Sequence, residues 1–358
     1  MDKKAVIAMS GGVDSSVAAF LLKKAGFDCI GVTMKLFDNE DLGGDTHKSC
    51  CSLSDVKDAQ NVAYSMDMPH YVLNFSDDFR NLVIRKFIET YQNGATPNPC
   101  IDCNRYIKFE RLLYRAKQLE FDYIATGHYA RIEQAGERFL LKKAKDPKKD
   151  QTYVLYTMTQ HQLSHTLFPL GVMTKEEVRD IALTQGFVNA RKHDSQDICF
   201  APNRDYAQFI EQYTGKPAET GPIIDESGNI LGTHRGLIRY TIGQRRGLGL
   251  SFSVPRYVAS KSAADNTLTL GKEAGLYAKT LIAEDINLIA CSTLFQPIQV
   301  KVKTRYLQTE QSAVVEQIGH NQIRIDFDVP QRAITPGQAA VLYDGEAVIG
   351  GGTIVRTV

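Results

Sequence analysis

The chain has 358 residues, of which 43% are hydrophobic and 23% are charged, and its formal net charge is +1. This length and composition predict a globular protein of two or three domains, and the nearly balanced charge excludes attraction to a nucleic acid through overall charge, so any basic surface must be local. The apolar runs are too short to span a membrane and the first residues carry no secretory signal, so we expect a cytoplasmic protein with no membrane partner.

The first half of the chain alternates between strand and helix patterns. Apolar runs predict strands at 6–9, 29–35, 71–75 and 123–126. Amphipathic patterns predict helices at 15–25, 53–66, 77–91 and 107–119, and a capping-box signature at 174–177 predicts a further helix to about residue 185. Strands separated by helices predict an α/β fold with a doubly wound parallel sheet.

Beyond about residue 200 the helical patterns fade and short alternating runs follow one another with turn signals between them. The clearest runs are 298–302, 313–318 and 322–327, and the turn signals are at 227–229, 320–321 and 344–345. The sequence therefore predicts an α/β domain over 1–200, a small central mostly-β domain over 201–275 and a C-terminal antiparallel β-barrel over 276–358.

The stretch SGGVDSS at 10–16 lies between the first predicted strand and helix. Its glycines can adopt positive φ, its backbone N–H groups can form an anion nest, and the helix N-terminus and the serine hydroxyls add further donors. The lysine of the common phosphate loop is absent. The pattern favours binding of a pyrophosphate group over γ-phosphoryl transfer, although a tight turn that binds nothing would give the same sequence.

The residues SGGVDS resemble the PP-loop of the N-type ATP pyrophosphatases, adenine-nucleotide α-hydrolase-like enzymes that cleave ATP between the α- and β-phosphates and adenylate a substrate oxygen. Four further stretches narrow the resemblance, namely NGATPNPCIDCNRYIKF at 93–109, ATGHYAR at 125–131, HDSQDICF at 193–200 and HRGLIRYTIGQRRGLG at 234–249. Together they resemble the tRNA-specific 2-thiouridylases along nearly the whole chain. That family replaces the C2 oxygen of the wobble uridine in tRNA with sulfur.

The seven cysteines indicate metal binding or thiol chemistry rather than a disulfide framework. The resemblance implies that Cys199 carries a persulfide, supplied by a sulfur-donor protein such as a cysteine desulfurase or a relay carrier. It also implies that Cys103 is the partner nucleophile, which resolves the persulfide through a transient disulfide. Some relatives carry aspartate in place of Cys100, so an acid–base role there is in doubt. Cys100, Cys103 and Cys199 could instead hold an iron–sulfur cluster or a zinc ion, and Cys199 could be a buried apolar side chain.

The resemblance also implies an ATP site and a set of tRNA contacts. The ATP residues would be Ala8, Met9, Ser10, Gly11, Gly12, Val13, Asp14, Ser15, Met34 and Gly127. Asn98, Pro99 and Cys100 would border the target base, and the other tRNA contacts would be His128, Lys149, Asp150, Gln151, Arg305, Tyr306 and Gln338. Asp14 could bind Mg²⁺, or it could serve only as a charge at the helix N-terminus. Purely structural roles are also open for Met34, as a core residue, and for His128, as a loop histidine whose hydrogen bonds are satisfied within the protein.

Three basic stretches are candidates for RNA contact, and the central domain is expected to bind tRNA or to link the other two domains. They comprise Lys142 to Lys149, the acid-free segment from Arg235 to Arg256, and Lys301, Lys303 and Arg305, which are predicted to share one face of a strand. Two other functions stay open. One is an ATP pyrophosphatase that adenylates a small molecule, which would need neither Cys103 nor Cys199. The other is a non-catalytic tRNA-binding module with a vestigial loop.

Overall fold

The computed structural model describes residues 3–37, 53–193, 198–201 and 205–358. The chain divides into two compact units. The first comprises Met1–Val83, Cys100–Arg204 and Glu346–Val348, and the second comprises Ile84–Pro99, Asp205–Gly345 and Ile349–Val358. Cys50, Cys51 and the polar residues Asp194, Gln196 and Asp197 lie outside the described residues. In the described part of the chain, no helix has the length and apolar character needed to cross a membrane.

The first unit is built on a parallel sheet. Its strands are β1 Lys4–Ala8, β2 Asp28–Lys35, β3 His70–Asn74, β4 Tyr123–Ala125, β5 Arg131–Ala135, β6 Arg138–Lys142 and β7 Thr166–Leu167. Five of them form one sheet in the order β3-β2-β1-β4-β7, with every pair parallel. The order reverses between β1 and β4, and in such sheets the crevice at the carboxyl ends of these two strands is where ligands bind.

The helices up to residue 184 are α1 Val13–Lys24, α2 Leu53–Ser65, α3 Ser76–Phe79, α4 Arg85–Gln92, α5 Pro99–Asp102, α6 Leu112–Gln118, α7 Gln160–Ser164 and α8 Lys175–Thr184. The core of the first unit includes side chains of α1 and of the central strand β1. Ala5 and Ile7 of β1 and Val17 and Ala18 of α1 are fully buried. The predicted doubly wound sheet is confirmed, and so is the capping box, in which Thr174 and Glu177 bond each other's backbone.

Two helical stretches differ from their predictions. Helical structure starts at Pro99, eight residues before the predicted helix, and runs through a π-helical stretch Cys103–Arg111 into α6. Proline suits the first turn of a helix because the missing N–H would have no partner there. Cys100 and Cys103 therefore lie on helical backbone. The predicted helix 77–91 is present but contains a π-helical stretch, Arg80–Ile84, between α3 and α4.

The second unit contains a four-stranded sheet and one helix that the sequence patterns did not predict. The helix is α9 Tyr206–Thr214, which Asp205 caps by accepting a hydrogen bond from the Gln208 N–H. The strands are β8 Gly221–Asp225, β9 Ile230–His234, β10 Tyr257–Ser262 and β11 Thr267–Gly271, in the order β10-β11-β8-β9. This sheet has its own core, which includes Ile223, Val258 and Leu268, each fully buried.

The second unit also contains a closed antiparallel barrel. Its strands are β12 Tyr277–Leu288, β13 Ile298–Lys303, β14 Gln311–Gly319, β15 Gln322–Arg332, β16 Ala339–Asp344 and β17 Ala347–Thr357. They follow the order β12-β15-β14-β13-β16-β17, and β17 pairs back on β12. Along β15 the residues Ile323, Ile325 and Phe327 are buried while their neighbours are not, as a period of two requires. The predicted barrel is confirmed.

Candidate active site

The loop after β1 has a conformation that only glycine allows at its centre. Gly11 has φ +74°, and a Cβ there would lie 2.3 Å from the carbonyl oxygen of Asp55. Gly12 then caps α1 in an extended conformation. The loop is anchored at its start because the Met9 N–H donates to the Val32 carbonyl of β2 at 2.8 Å. The sharp turn therefore places the first N–H groups of α1 at the carboxyl end of β1.

The carbonyl groups of both loop glycines are hydrogen-bonded to side chains. Gly12 O accepts from the hydroxyls of Ser15 at 3.0 Å and Ser16 at 3.1 Å. Gly11 O accepts from Asn189 Nδ2 at 3.0 Å and from Lys192 Nζ at 3.2 Å. The hydroxyls of Ser15 and Ser16, which the sequence predicted as donors to a ligand, thus donate to the loop itself and stabilise it. Asn189 and Lys192 come from far along the chain, and no local sequence signal marks them.

Asp14, in the first turn of α1, is bound by two side chains. Lys175 Nζ contacts its two carboxylate oxygens at 2.7 and 2.8 Å, and the Tyr129 hydroxyl donates to Oδ1 at 2.7 Å. The Lys175 side chain is 10% exposed and that of Asp14 is 30% exposed. The loop without a lysine of its own therefore has one beside it, supplied by α8 from 161 positions along the chain. A Mg²⁺ ion bound to Asp14 would have to compete with Lys175 for the carboxylate oxygens.

Lys192 forms a second charged group next to the loop. Its ammonium contacts Asp55 Oδ1 at 2.5 Å and Asp58 Oδ2 at 2.7 Å, both on α2. Partial burial opposes the charge, but the hydrogen bonds to the two carboxylates prevail and raise the pKa of Lys192 above its usual value. The lysine that touches the Gly11 carbonyl is consequently a cation at neutral pH.

Gly127 and Met34 lie at the same edge of the sheet as the loop. A Cβ on Gly127 would lie 2.8 Å from the Ser15 nitrogen, so the chain after β4 passes directly against the first turn of α1. Met34 is half-buried, one residue before the end of β2. The structure thus brings both residues, predicted to contact the adenosine, to the carboxyl ends of strands, with Gly127 next to the switch point and Met34 on the neighbouring strand β2.

The cysteines of the predicted sulfur site differ in exposure. Cys103 and Cys199 are half-buried, whereas Cys100 is exposed. Phe200, next to Cys199, packs edge-on against Phe79 of α3 with ring centroids 5.7 Å apart. The neighbouring α3 residue Asp78 pairs with Arg111, in the π-helical stretch that starts at Cys103, at 3.0 Å. The segments of both cysteines therefore pack on α3.

The described residues do not present a metal-binding set. Among them, no group of three or more histidine, cysteine, aspartate or glutamate side chains is placed to hold a metal ion. The iron–sulfur and zinc alternatives for Cys100, Cys103 and Cys199 thus find no support in the geometry of these residues.

His128 is largely buried, with 8% of its surface exposed. Its ring lies between Phe109 and Phe168, at centroid distances of 5.8 and 5.9 Å, and Nδ1 is 2.7 Å from the Thr126 hydroxyl. Burial, and then the nearby Lys108, hold the pKa of His128 well below its usual value. The imidazole is therefore neutral, and any contact with RNA uses its remaining exposed edge.

Two of the predicted tRNA contacts at 149–151 also support the chain around them. Asp150 accepts hydrogen bonds from the Ala144 N–H at 2.9 Å and the Thr152 hydroxyl at 2.6 Å. Gln151 Oε1 accepts from the N–H of Tyr129, the residue that holds Asp14, at 2.9 Å. Substituting either residue would disturb this packing as well as any RNA contact.

Within the second unit, Gln338 lies beside the segment that leads to Asn98 and Pro99. Its Nε2 donates to the carbonyls of Thr96 at 2.9 Å and Pro97 at 3.3 Å. Arg305 lies beyond the end of β13, so only Lys301 and Lys303 share the predicted strand. The Arg305 guanidinium donates to Ala333 O at 2.5 Å and Thr335 Oγ1 at 2.9 Å, and the adjacent Tyr306 is 37% exposed.

Several residues of the basic stretches are neutralised by acids that lie outside those stretches. Arg239, in the segment that contains no acid, pairs with Glu211 of α9 at 2.7 Å. Lys142 pairs with Glu133 at 2.7 Å and Lys145 with Glu177 at 2.8 Å. Arg245 and Arg246 are exposed in the loop after β9, so they are better candidates for RNA contact than Arg239.

Three family models match consecutive parts of the chain. They are the tRNA methyl transferase HUP domain over residues 3–203, the tRNA methyl transferase PRC-barrel domain over 207–272 and the aminomethyltransferase beta-barrel domain over 278–354. The first alone spans more than half of the chain.

Curated relatives match along the full length. The tRNA-specific 2-thiouridylase MnmA of Clostridioides difficile is 49% identical over 359 residues, covering 100% of this chain and 99% of the relative. The protein of the same name from Clostridium kluyveri is 48% identical over 354 residues, covering 99% of each.

Solved structures resemble the chain more distantly. The U34-tRNA thiolase NcsA from Methanococcus maripaludis, solved with its [4Fe-4S] cluster, matches with TM-score 0.35 and 16% identity over 60% of this chain and 65% of that one. A 4-thiouridine synthetase in complex with RNA and ATP matches with TM-score 0.38 and 17% identity over 60% of this chain and 50% of that one. At these TM-scores neither likeness carries an argument about the site.

Proposed function

The chain belongs to the tRNA-specific 2-thiouridylase family, and we propose that it uses ATP to replace the C2 oxygen of the wobble uridine of tRNA with sulfur. The observation that carries this proposal is the 49% identity to a curated 2-thiouridylase along the full length. The loop at 10–16 supports it, since this loop is a tight glycine turn that opens a helix at the switch point of a parallel sheet.

The first step is adenylation of the uracil O2. The C2 carbonyl is urea-like and its oxygen is a poor leaving group. O2 attacks the α-phosphorus of ATP, the bond from that phosphorus to the bridging oxygen breaks, and pyrophosphate leaves with the electron pair. The backbone N–H groups at Gly11 to Asp14 would hold the departing pyrophosphate, with Met34 and Gly127 on the adenosine side. Mg²⁺ bound with ATP would offset negative charge on the phosphates, and the Asp14 carboxylate beside the loop is the group that would hold it.

The second step transfers sulfur. The terminal sulfur of a Cys199 persulfide attacks C2, the C2–O2 bond breaks, and AMP leaves with the former carbonyl oxygen. The Cys103 thiolate then attacks Sγ of Cys199, which breaks the persulfide bond and leaves both of its electrons on the sulfur at C2. The products are 2-thiouridine and a Cys103–Cys199 disulfide, which a thiol reductant must reopen before the next turnover. No step uses a metal cluster.

The substrates define the partners. A sulfur-donor protein of the cysteine desulfurase or relay type would load Cys199. The reaction would take place in the cytoplasm, where tRNA and ATP are available. The wobble base lies in a single-stranded loop, so taking it out of the stack costs little. Asn98, Pro99 and Cys100 would border that base, and Lys149, Arg305, Tyr306 and Gln338 would contact the rest of the RNA.

The direct test is a reconstituted reaction. The protein is incubated with unmodified tRNA, ATP, Mg²⁺ and a persulfide donor, and nucleosides and nucleotides are analysed by mass spectrometry. We expect 2-thiouridine, with AMP and pyrophosphate in equal amounts. ADP as the main product, or AMP formed without tRNA on a small molecule, would reject the proposal.

Cysteine variants test the sulfur step in the same assay. Cys199→Ser and Cys103→Ser should both abolish thiolation, but a persulfide should still load on Cys199 in the Cys103 variant because the carrier thiol remains. Cys100→Ser is the comparison, and it should leave measurable activity, since both working sulfurs remain. Loss of activity in all three variants, together with stoichiometric iron and sulfide, would establish the cluster alternative instead.

A further inference from the structure

An anion site made of backbone N–H groups requires that the intervening carbonyls point elsewhere. A carbonyl oxygen that turned into the nest would meet the phosphate oxygens with like charge. In a turn that contains glycine this is a real risk, because glycine passes easily between backbone conformations. Whatever fixes the carbonyls of Gly11 and Gly12 therefore also fixes the site for pyrophosphate.

One buried amide nitrogen is linked to both carbonyls, which also accept hydrogen bonds from Lys192 and Ser15. Asn189 Nδ2 donates to Gly11 O at 3.0 Å and to Ser16 Oγ at 2.9 Å. The Ser16 hydroxyl in turn donates a hydrogen bond to Gly12 O at 3.1 Å. Asn189 is 3% exposed and Ser16 is fully buried, so water does not compete for these bonds. The two protons of a single NH₂ group thus reach Gly11 directly and Gly12 through one hydroxyl.

The orientation of this amide is determined by its surroundings. Asn189 Oδ1 is buried and has no hydrogen-bond partner among the described residues. A flipped amide would bring Oδ1 against the Gly11 carbonyl, which only accepts, so Nδ2 must face the loop. Leaving a buried oxygen unpaired is unfavourable. Asn189 therefore acts through its two N–H donors, and Lys192 Nζ is a second donor to Gly11 O at 3.2 Å.

We propose that Asn189 is a positioning residue for the pyrophosphate site, acting with Ser16 as a relay. It holds the carbonyls of Gly11 and Gly12 on the protein side of the loop, which leaves the N–H groups facing the phosphates before ATP arrives. This inference rests on the proposed function of the loop. It adds a residue outside the SGGVDSS motif whose role is to keep the cradle formed.

The test measures pyrophosphate and AMP binding separately, by calorimetry on the full chain. Asn189→Asp keeps the shape but replaces the donor by an acceptor, which repels the Gly11 carbonyl. We expect it to weaken binding of magnesium pyrophosphate about tenfold or more, since a buried group loses its partner. Binding of AMP, which lacks the pyrophosphate, should change less than about twofold. The KM for ATP should rise in the same proportion as the pyrophosphate dissociation constant.

Ser16→Ala is a milder second variant, in case Asn189→Asp does not fold. It removes the relay to Gly12 O and should weaken pyrophosphate binding about threefold to tenfold. Thr166→Val is the matched control, because the Thr166 hydroxyl is equally buried but donates to Gln162 O in α7. It should lower thermal stability to a similar degree without changing either dissociation constant.

The outcomes separate this inference from the function it rests on. If the Asn189 and Ser16 variants bind AMP and pyrophosphate with equally weakened affinity, the cause is a general loss of structure. That result would overturn the positioning role. Unchanged pyrophosphate binding in both would overturn it as well. A wild-type chain that binds ATP through adenosine but does not bind pyrophosphate would instead reject the proposed use of the loop.

Discussion

Asp14 and Lys175 are the residues whose interaction the sequence conceals most completely. Asp14 is visible in the loop motif, whereas Lys175 is part of a capping box and looks like a solvated helix residue. In the structure the two form a largely buried ion pair with the Tyr129 hydroxyl beside it. A carboxylate in this position depends on its partner, because burial penalises an unpaired charge.

Removing the lysine should therefore destabilise the first unit. We expect Lys175→Met to lower the free energy of unfolding by about 1 to 3 kcal/mol, because it leaves the partly buried Asp14 carboxylate without a cation and with the Tyr129 hydroxyl as its donor. Asp14→Asn in the same chain should recover part of that loss, since the amide carries no charge. Urea denaturation of the four chains of this double-mutant cycle measures the coupling. Additive losses would show that the two side chains do not stabilise each other.

Single residues could be predicted from the sequence where they belong to a short motif. The glycine turn, Asp14 and the cysteines were named because short motifs carry their own chemistry. Lys175, Asn189 and Lys192 were missed because they act through space on a loop more than 150 positions away. Each lies on or beside α8, and only the packing of that helix on α1 brings them to the loop.

At the scale of elements, the turn from β1 to α1 is the most constrained part of the first unit. Gly11 and Gly26, at the two ends of α1, both have positive φ, +74° and +84°. They differ in their surroundings, because a Cβ on Gly11 would meet the Asp55 backbone at 2.3 Å whereas one on Gly26 would meet no atom within 4 Å.

This difference gives a matched pair of substitutions. Gly26→Ala should cost about 1 to 2 kcal/mol, the price of an alanine in a left-handed conformation. Gly11→Ala should cost a further 1 to 3 kcal/mol or so, because the start of α2 must also move away. Chemical denaturation of both variants gives the comparison. Equal losses would show that α2 yields freely, and that the close approach at Gly11 is not a constraint on the loop.

Element prediction succeeded where a pattern was long and failed where a cap or a short element decided the structure. Four of the five strands of the parallel sheet were found from their apolar runs, and three strands of the barrel from their alternation. Helical structure from Pro99 was missed, since the four residues Pro99–Asp102 are too few to show a helical period. Helix α9 was missed although Asp205 and Gly215 are a regular cap and stop, because the change to β patterns nearby suggested that helices had ended.

At the scale of the whole molecule, the sequence gives a net charge of only +1, which carries no information about RNA. The structure sorts the basic residues by whether acids neutralise them. Lys142 and Lys145 are ion-paired with Glu133 and Glu177, whereas Arg245 and Arg246 are exposed in a loop. A cation already paired with a carboxylate releases few counterions from RNA, so only the second pair should contribute strongly to binding.

Salt dependence of tRNA binding tests this sorting. Arg245→Gln with Arg246→Gln should weaken binding and reduce the slope of log K against log salt by about one unit per lost phosphate contact. Lys142→Gln with Lys145→Gln removes the same charge and is the control. Its slope should stay nearly constant, because each lysine is already balanced by a glutamate. Filter binding or fluorescence anisotropy between low and moderate salt measures both slopes. If the arginine variant keeps the wild-type slope, this loop is an ordinary solvated surface. If instead the slope falls by the same amount in both variants, binding depends on total charge, and ion pairing within the protein does not decide which cations contact the RNA.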